Sequence, residues 1–286
     1  MKQIIDTQII QLLNQDHESV SLRSFVKPNN RSALIYFHGI EGHSEWFSKT
    51  ANNLATQGFD VYAYDRIGCG LSSGQRGHIR SINNLIKDSE LIINYIAVKQ
   101  YQSIGYLASC WGAKLALLLT GKLAFKPNYL ILTSPAIFTK IDLSFINKLK
   151  LVYYALKQRN LDLIPLPITT TMLTTNPDYF DYLNTDPLRN RSLTVNAYIE
   201  NLKIDFMAIF MTKQSFNNID LPILLCLAQD DKIINRPKIL NWFAKIKSGQ
   251  KEIKTFPTNS HCLDFDAQCY NVYITYLLEW LNKIVK

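Results

Sequence analysis

The sequence predicts an α/β protein with a mostly parallel central sheet covered by helices on both faces. Short apolar runs of strand length alternate with longer segments of helical period along most of the 286 residues, a pattern typical of β-α-β units. Apolar residues make up 47% of the chain and charged residues 19%, which can fill a large core and excludes a disordered chain. The length corresponds to about two average domains, but α/β folds of this size often share one continuous core.

Five apolar runs have the length and composition of buried strands. They lie at residues 33–37, 59–64, 103–108, 129–132 and 223–227. Segments of helical period separate them, at residues 47–58, 85–98 and 114–122. At the C-terminus, apolar residues recur with the spacing of one helix face. They are Tyr270, Ile274, Leu277, Leu278, Leu281, Ile284 and Val285.

The alternation breaks between residues 134–135 and 221–222, where few strand signals occur. We expect residues 136–220 to form a helical insertion, or cap, between two strands of a core made of residues 1–135 and 221–286. An insertion at the carboxyl edge of a parallel sheet lies over the crevice where ligands bind. The insertion is therefore a candidate lid.

The composition also excludes several classes of protein. The 31 Lys and Arg residues against 23 Asp and Glu leave a net charge of +8, but the positive charges are scattered singly, which argues against nucleic-acid binding. Five cysteines without a C-x-x-C pair argue against disulfide and zinc frameworks, and we expect no metal and no cofactor.

The distribution of apolar residues predicts no membrane span. The longest apolar run, residues 221–228, is far below the ~20 residues that a membrane helix needs. Residues 1–14 lack the unbroken apolar stretch and the small-residue cleavage site of a signal peptide. We expect a cytoplasmic protein with at most peripheral membrane contact.

A strand-to-helix turn follows the third predicted strand. Residues 108–113 have the sequence Ala-Ser-Cys-Trp-Gly-Ala. In the nucleophile-elbow pattern G-x-S-x-G, the nucleophile lies on such a turn with small residues two positions before and two after it. Ser109 and Cys110 are the two candidate nucleophiles.

The two small positions distinguish the candidates. If the serine is the nucleophile, these positions hold Leu107 and Trp111, which are far too large. If Cys110 is the nucleophile, they hold Ala108 and Gly112. The pattern therefore favours Cys110, and the alternative is a buried cysteine in an ordinary strand-loop-helix segment.

Three further segments match motifs of one family. Residues 38–43, His-Gly-Ile-Glu-Gly-His, are similar to H-G-x-x-E-H, with Gly42 where the family has Glu. Residues 65–74 are similar to D-x-x-G-x-G-x-S-x-G, and residues 186–188, Asp-Pro-Leu, resemble a motif of the cap. Over nearly its whole length the chain resembles the α/β-hydrolase superfamily, most closely its monoacylglycerol-lipase-like (lysophospholipase, serine aminopeptidase S33-type) branch.

This resemblance implies the α/β-hydrolase fold and a catalytic triad. The nucleophile is serine in most of the branch, whereas this chain has Cys110. Cysteine occurs at the elbow elsewhere in the superfamily, in dienelactone hydrolases and polyhydroxyalkanoate synthases. By resemblance, the backbone N–H groups of Ile40 and Trp111 form the oxyanion hole.

The acid and the histidine are expected to follow the nucleophile in that order. Residues 228–234 follow a predicted strand and resemble the family segment G-x-x-D-x-x-V. This resemblance indicates Asp231 as the acid, with Asp230 as the alternative. His261 lies before the last helix, where the family has its catalytic histidine, and the alternative is an ordinary surface-loop histidine.

Other residues of these motifs have less definite roles. We interpret His38 as a structural residue that satisfies a backbone partner. Glu41 and His43 either line the entrance to the site or belong to a solvated loop. The turn at Asp65 is interpreted as a tight structural corner, because its two glycines without a third are weak evidence of phosphate binding. Of the remaining cysteines, interpreted as small hydrophobes, only Cys262, next to the candidate histidine, leaves a redox role open.

The triad predicts covalent acyl chemistry. His261 accepts the proton of Cys110 while Asp231 holds the imidazole tautomer, and the helix N-terminus and the histidine lower the thiol pKa. Because a thiol, with a reference pKa near ~8.5, leaves more readily than an alkoxide, thioesters, aryl or enol esters and strained lactones suit this nucleophile better than glycerides.

Three hypotheses follow. The first is a hydrolase of carboxylic esters or thioesters with an apolar acyl group. The second is an acyltransferase or condensing enzyme that passes the acyl group to an amine, alcohol or thiol. The third is a non-catalytic ligand-binding descendant, and the retained acid and histidine argue against it. The expected partner is a small-molecule acyl substrate, free or bound to a carrier or CoA, and not nucleic acid.

Overall fold

The computed structural model describes residues 5–214 and 221–285. In this part of the chain, eight strands form one sheet. In chain order they are β1 (Asp6–Leu13), β2 (Ser19–Val26), β3 (Ser32–Phe37), β4 (Phe59–Tyr64), β5 (Ser103–Ser109), β6 (Leu130–Thr133), β9 (Ile223–Ala228) and β10 (Lys251–Phe256). Their order across the sheet is β1-β2-β4-β3-β5-β6-β9-β10. The pairs β1·β2 and β2·β4 are antiparallel and all other pairs are parallel, as the sequence predicts.

Helices connect the parallel strands and cover both faces of the sheet. The connecting helices are α1 (Ser48–Thr56), α2 (Ile82–Ala97), α3 (Gly112–Lys122), α8 (Arg236–Ala244) and α9 (Tyr270–Ile284). Apolar side chains form one buried cluster on each face. The centre of the sheet is therefore shielded on both sides, which is the reason that its strands are mostly apolar.

The segment between β6 and β9 contains further elements. These are α4 (Phe145–Leu156), β7 (Leu163–Pro165), α5 (Thr170–Leu173), α6 (Phe180–Thr185), β8 (Ser192–Thr194) and α7 (Val195–Gln214). The antiparallel ribbon of β7 and β8 is an addition to the expected helices. Its strands have three residues each, too few to produce a periodic signal. The end of the predicted insertion, residues 215–220, lies outside the described residues.

The sequence did not predict the two edge regions of the sheet. Most residues of β1 are exposed, and β10 has four charged or polar residues that are partly exposed to solvent, so neither strand has a clear apolar pattern. Edge strands often carry such polar residues because a bare edge would pair with other chains.

Among the residues that the structure describes, no helix combines the length and the apolar composition that a membrane span requires.

One steric contact sets the distance between the sheet and α3. A Cβ atom added at Gly112 would lie 2.1 Å from the carbonyl oxygen of Phe37 and 2.6 Å from its carbonyl carbon. Both groups belong to backbone, so neither can move aside without shifting an element. Only glycine fits where α3 begins beneath the end of β3.

We expect Gly112→Ala to destabilise the protein by about 3 kcal/mol or more, because the added methyl group overpacks a backbone contact. Gly58→Ala is the matched control. Gly58 has a φ of 106° and no atom within 4 Å of an added Cβ, so only backbone strain of about 1–2 kcal/mol is expected. Urea unfolding measures the free energy of unfolding of both variants. A decrease for Gly112→Ala no greater than that of the control would contradict the steric argument.

Candidate active site

The turn between β5 and α3 holds Cys110 in a strained backbone conformation. Its φ angle of 54° lies in the left-handed region, which costs a non-glycine residue about 1–2 kcal/mol. Hydrogen bonds on both sides maintain this strain. The N–H of Cys110 donates to the carbonyl of Thr133 at 3.0 Å, and its own carbonyl accepts from the N–H of Ala136 at 3.0 Å. The cysteine is 8% exposed and lies at the N-terminus of α3.

The neighbours of Cys110 are small for a steric reason. Ala108 is fully buried, and the space beside Gly112 is occupied by the end of β3. A Cβ atom added at Gly39 would lie 3.2 Å from the Cβ of Cys110. The chain that leaves β3 therefore passes directly over the turn, which brings the following residue, Ile40, next to the thiol.

Asp231 and His261 form a buried pair. Nδ1 of His261 lies 2.8 Å from Oδ2 of Asp231, and each residue is 1% exposed. The second carboxylate oxygen accepts from the N–H groups of Ile233 at 2.7 Å and Ile234 at 3.1 Å. The alternative acid, Asp230, is exposed to solvent. The structure therefore brings Asp231, and not its neighbour, to the histidine.

Cys110, His261 and Asp231 titrate as one coupled group. Burial favours the neutral imidazole, but the negative charges of Asp231 and of the Cys110 thiolate outweigh it and hold the pKa of His261 well above its usual value. Burial also opposes ionisation of the thiol, yet His261, the N–H of Trp111 and Lys114 together lower the pKa of Cys110. The pKa of Asp231 is lowered despite burial, chiefly by His261. The shifts of Cys110 and His261 have the directions expected of a thiolate-imidazolium pair.

Hydrogen-bond donors next to Cys110 are left without a conventional acceptor. Nε2 of His261 is buried and has no hydrogen-bond partner of normal geometry in the described part of the chain; both the charge of Cys110 and a weak hydrogen bond with its thiol raise the pKa of His261. The N–H groups of Ile40 and Trp111 donate to no backbone carbonyl within residues 5–214 and 221–285. All these residues border cavities that also border Cys110, an arrangement suited to an acyl carbonyl.

Two cavities meet at Cys110. The smaller, of about 30 Å³, lies on the side of His261 and also borders Cys262. The larger, of about 400 Å³, lies between the sheet edge and the segment that follows β6. Most of its wall is apolar and includes Ile40, Ala136, Leu151, Leu166, Ile168 and Leu193.

Glu41 and His43 are buried, so the solvated-loop alternative is wrong. Arg189 donates to Oε2 of Glu41 from Nε at 3.1 Å and from Nη2 at 2.8 Å. Oδ2 of Asp186 lies 2.8 Å from Nε2 of His43 and accepts from Nε1 of Trp46 at 2.7 Å. These contacts join the loop after β3 to the segment between β6 and β9. They hold that loop in place beside the thiol.

His38 and Asp65 bind backbone groups. Nε2 of His38 accepts from the N–H of Arg66 at 3.2 Å, and a carboxylate oxygen of Asp65 accepts from the N–H of Leu71 at 2.8 Å. Both residues are buried and stabilise loops at the carboxyl edge of the sheet. No group of three or more His, Cys, Asp or Glu residues able to hold a metal ion occurs within the residues that the structure describes.

Sequence reasoning missed a polar cluster on the wall of the larger cavity. Lys114, Asn201 and Asp205 all border it, and Lys114 forms an ion pair with Asp205. The signal for Lys114 was present, because it is a lone charge near the start of the apolar helix α3. The other two residues lie on α7, and only the tertiary structure brings them to α3.

The fold and this arrangement define an α/β-hydrolase. The chain belongs to the family described as serine aminopeptidase, S33, whose model matches residues 28–268. The solved structure of a monoacylglycerol lipase from Paleococcus ferrophilus is similar, with a TM-score of 0.78 and 21% identity over 97% of this chain and 99% of that one. For a monoglyceride lipase from Saccharomyces cerevisiae the TM-score is 0.84, with 15% identity over 100% and 97% of the two chains.

Curated relatives show the same similarity in sequence. An uncharacterised abhydrolase domain-containing protein of Dictyostelium discoideum is 28% identical over 98% of this chain but only 29% of its own length. The protein YnbC of Escherichia coli is 24% identical over 82% of this chain and 40% of its own length. The chain thus spans less than half of these two relatives. Human monoglyceride lipase is 24% identical over 88% of this chain and 82% of its own length.

The lowered thiol pKa predicts selective alkylation of Cys110. We expect iodoacetamide to modify Cys110 first as the pH is raised, at a pH below the ordinary thiol pKa of about 8.5. Burial raises the pKa of each of the other four thiols. In His261→Gln the cation is lost and the pH profile moves to the alkaline side. Mass spectrometry of peptides after timed labelling measures the rate of Cys110 alkylation at each pH. An unchanged pH profile in the variant would contradict the interaction between His261 and the thiolate.

Glu41 is expected to make stability depend on pH. Burial raises the pKa of its carboxyl group to about 7 against the opposing charge of Arg189, whereas the unfolded value is about 4.3. The folded state holds the extra proton, so this stabilising contribution is complete below about pH 4 and is lost as the pH rises through about 7. In Glu41→Gln this contribution is absent.

The melting temperature of Glu41→Gln relative to the unmodified protein is therefore expected to rise between about pH 4.5 and pH 7.5. Thermal unfolding across this range measures the difference, in which other titrating groups cancel. Glu45→Gln is the matched control, because the Glu45 side chain is 47% exposed. A difference for Glu41→Gln that is constant with pH would show that Glu41 is already ionised throughout.

Proposed function

We propose that this chain is a lipase- or esterase-type acyl hydrolase that acts on carboxylic esters or thioesters with an apolar acyl group. Catalysis proceeds through a covalent acyl-Cys110 intermediate, with His261 as base and acid and Asp231 as its orienting partner. The observation that carries the proposal is the Asp231-His261 pair beside a thiol at positive φ, where two cavities meet. The lipase and esterase names of several relatives support its coarser part.

The proposed reaction has two half-reactions. The Cys110 thiolate attacks the acyl carbonyl, and the developing oxyanion accepts hydrogen bonds from the N–H groups of Ile40 and Trp111. The tetrahedral intermediate collapses as Nε2–H of His261 protonates the leaving oxygen or sulfur. Water, deprotonated by the neutral imidazole, then attacks the thioester and releases the acid and the thiolate.

The nucleophile determines which leaving groups are accepted. The intermediate expels whichever group is the weaker base, and a thiolate is a weaker base than an alkoxide. Thioesters, aryl esters, enol esters and strained lactones are therefore the proposed substrates, and the thioesters include carrier- and CoA-bound forms. Ordinary glycerides require efficient proton donation by His261 before the alcohol leaves.

We propose that residues 136–220 act as a cap over this site. Its described residues form most of the wall of the larger cavity. The loop of His261 also rests on this segment, since the N–H of Cys262 donates to the carbonyl of Leu173 at 2.8 Å. The apolar side chains of α4, such as Phe145 and Leu156, are more than half exposed, which supports an apolar substrate entering at this edge.

The alternative function is acyl transfer. Cys110 is 8% exposed, and the cavity of about 400 Å³ that borders it has room for an acceptor beside a short acyl group. An amine, alcohol or thiol held there competes with water for the acyl thioester.

The cytoplasmic location of the protein stays a prediction.

Brief exposure to acyl thioesters and p-nitrophenyl esters is expected to add the acyl mass to Cys110. Intact-protein mass spectrometry detects the adduct, and product release is followed in the same samples with and without amine or thiol acceptors. Rapid clearance by water supports the hydrolase, whereas an adduct that persists until an acceptor is added supports the transferase. Absence of both adduct and product would contradict the covalent mechanism.

Two variants test the nucleophile. Cys110→Ala is expected to lose both adduct and turnover, and undiminished activity would show that another residue is the nucleophile. Cys110→Ser is expected to hydrolyse plain alkyl esters better relative to thioesters, because a serine alkoxide is no longer the better leaving group. An unchanged ratio of ester to thioester turnover would contradict the leaving-group argument.

A further inference from the structure

One wall of the larger cavity carries a hydrogen-bonded cluster of polar side chains, although most of the lining is apolar. Lys114 lies near the start of α3, four positions after Cys110. Its side chain is 5% exposed and forms an ion pair with Asp205, whose side chain is 30% exposed. Oδ1 of Asn201 accepts from Nζ of Lys114 at 3.4 Å and from Nε1 of Trp111 at 2.6 Å. Nδ2 of Asn201 donates to Oδ2 of Asp205 at 3.2 Å. We call Lys114, Asn201 and Asp205 the polar wall.

Placing the polar wall in a mostly apolar cavity has a cost in desolvation free energy. Removing an ammonium and a carboxylate from water costs several kcal/mol per ion, and their mutual attraction often fails to exceed this cost. A saturated acyl chain packed against these groups would displace the water that solvates the ion pair and put no hydrogen bond in its place. A plain alkyl chain is therefore a poor match for this part of the cavity.

The charges of the polar wall indicate which substrate group would bind to it. The positive charge of Lys114 is balanced by Asp205, so a substrate carboxylate would be attracted by the first and repelled by the second. A hydroxyl group can accept from the ammonium and donate to the carboxylate at the same time. Lys114 and Cys110 border the same cavity, so such a group lies in the space that also receives the scissile carbonyl.

We propose that the acyl group taken by this site carries a hydroxyl group that binds between Lys114 and Asp205. This inference rests on the proposed function, since it concerns the substrate of the same thiol. It makes the polar wall a specificity determinant and the preferred substrates hydroxyacyl esters or thioesters. If the polar wall only held α3 against α7, substituting its residues would change the stability of the protein and leave the choice of substrate unchanged.

The test compares thioesters that differ only in the acyl group: hexanoyl, 3-hydroxyhexanoyl, 6-hydroxyhexanoyl and the half-thioester of adipic acid. A site built to bind a hydroxyl group rejects the analogue that lacks it by orders of magnitude. We expect kcat/KM for at least one hydroxyacyl thioester to exceed that for hexanoyl by about tenfold or more. The ratio of the two values cancels any effect that a variant has on the reactivity of Cys110.

Variants assign the preference to the wall. Lys114→Met is expected to bring the hydroxyacyl-to-hexanoyl ratio close to one. Lys148→Met is the matched control, because Lys148 borders the same cavity but is 49% exposed, and its ratio is expected to stay unchanged. Asp205→Asn leaves the Lys114 charge unbalanced and should increase the relative kcat/KM of the adipic half-thioester. This near-isosteric change tests the wall even where Lys114→Met fails to fold.

The outcomes separate this inference from the proposed function. Equal or faster turnover of hexanoyl thioester, a preference for the adipic half-thioester in the unmodified protein, or an unchanged ratio in both wall variants would overturn the hydroxyacyl assignment while acyl-Cys110 chemistry stands. Absence of any acyl adduct on Cys110 with all four thioesters would overturn the proposed function and this inference with it.

Discussion

The site depends on the contact between the end of β3 and the start of α3. The carbonyl of Phe37 occupies the space where any side chain at position 112 would lie. Because the two backbones touch here, the chain leaving β3 crosses above Cys110, and Gly39 packs against the cysteine. The same contact brings the N–H of Ile40 next to the thiol and presents the thiol at the helix N-terminus. A larger residue at position 112 would remove all of these consequences together.

Electrostatic pairing compensates for burial around this contact. His261 is buried between two negative groups, and within the set of Cys110, His261 and Asp231 the opposite charges shift each pKa toward the ionised form against the effect of burial. Where the loop after β3 meets the segment between β6 and β9, the charge of Arg189 likewise opposes the effect of burial on Glu41, but burial prevails there and the pKa of Glu41 rises to about 7. Ion pairs of this kind contribute little net stability, but they determine geometry, because each charge needs its partner in position.

The sequence predicted the centre of the fold well and its periphery poorly. Strands inside the sheet, such as Ile223–Ala228, are buried on both faces and appear as unbroken apolar runs. The edge strand Asp6–Leu13 and the ribbon of β7 and β8 were missed, since exposed or three-residue strands have no such pattern. At the site, Cys110, Asp231 and His261 were indicated by local motifs, while Lys114 was passed over as one charge in an apolar helix.

The sequence by itself determined the fold class and the family motifs, because both are written in local spacing: strand-length runs, small residues around Cys110, and an acid and a histidine in order along the chain. The tertiary structure decided which carboxylate meets His261, that Glu41 and His43 are buried in pairs, and that Asp205 on α7 faces Lys114 on α3. These contacts join residues 30 to 148 positions apart. No local pattern encodes them, since they arise only when the chain packs.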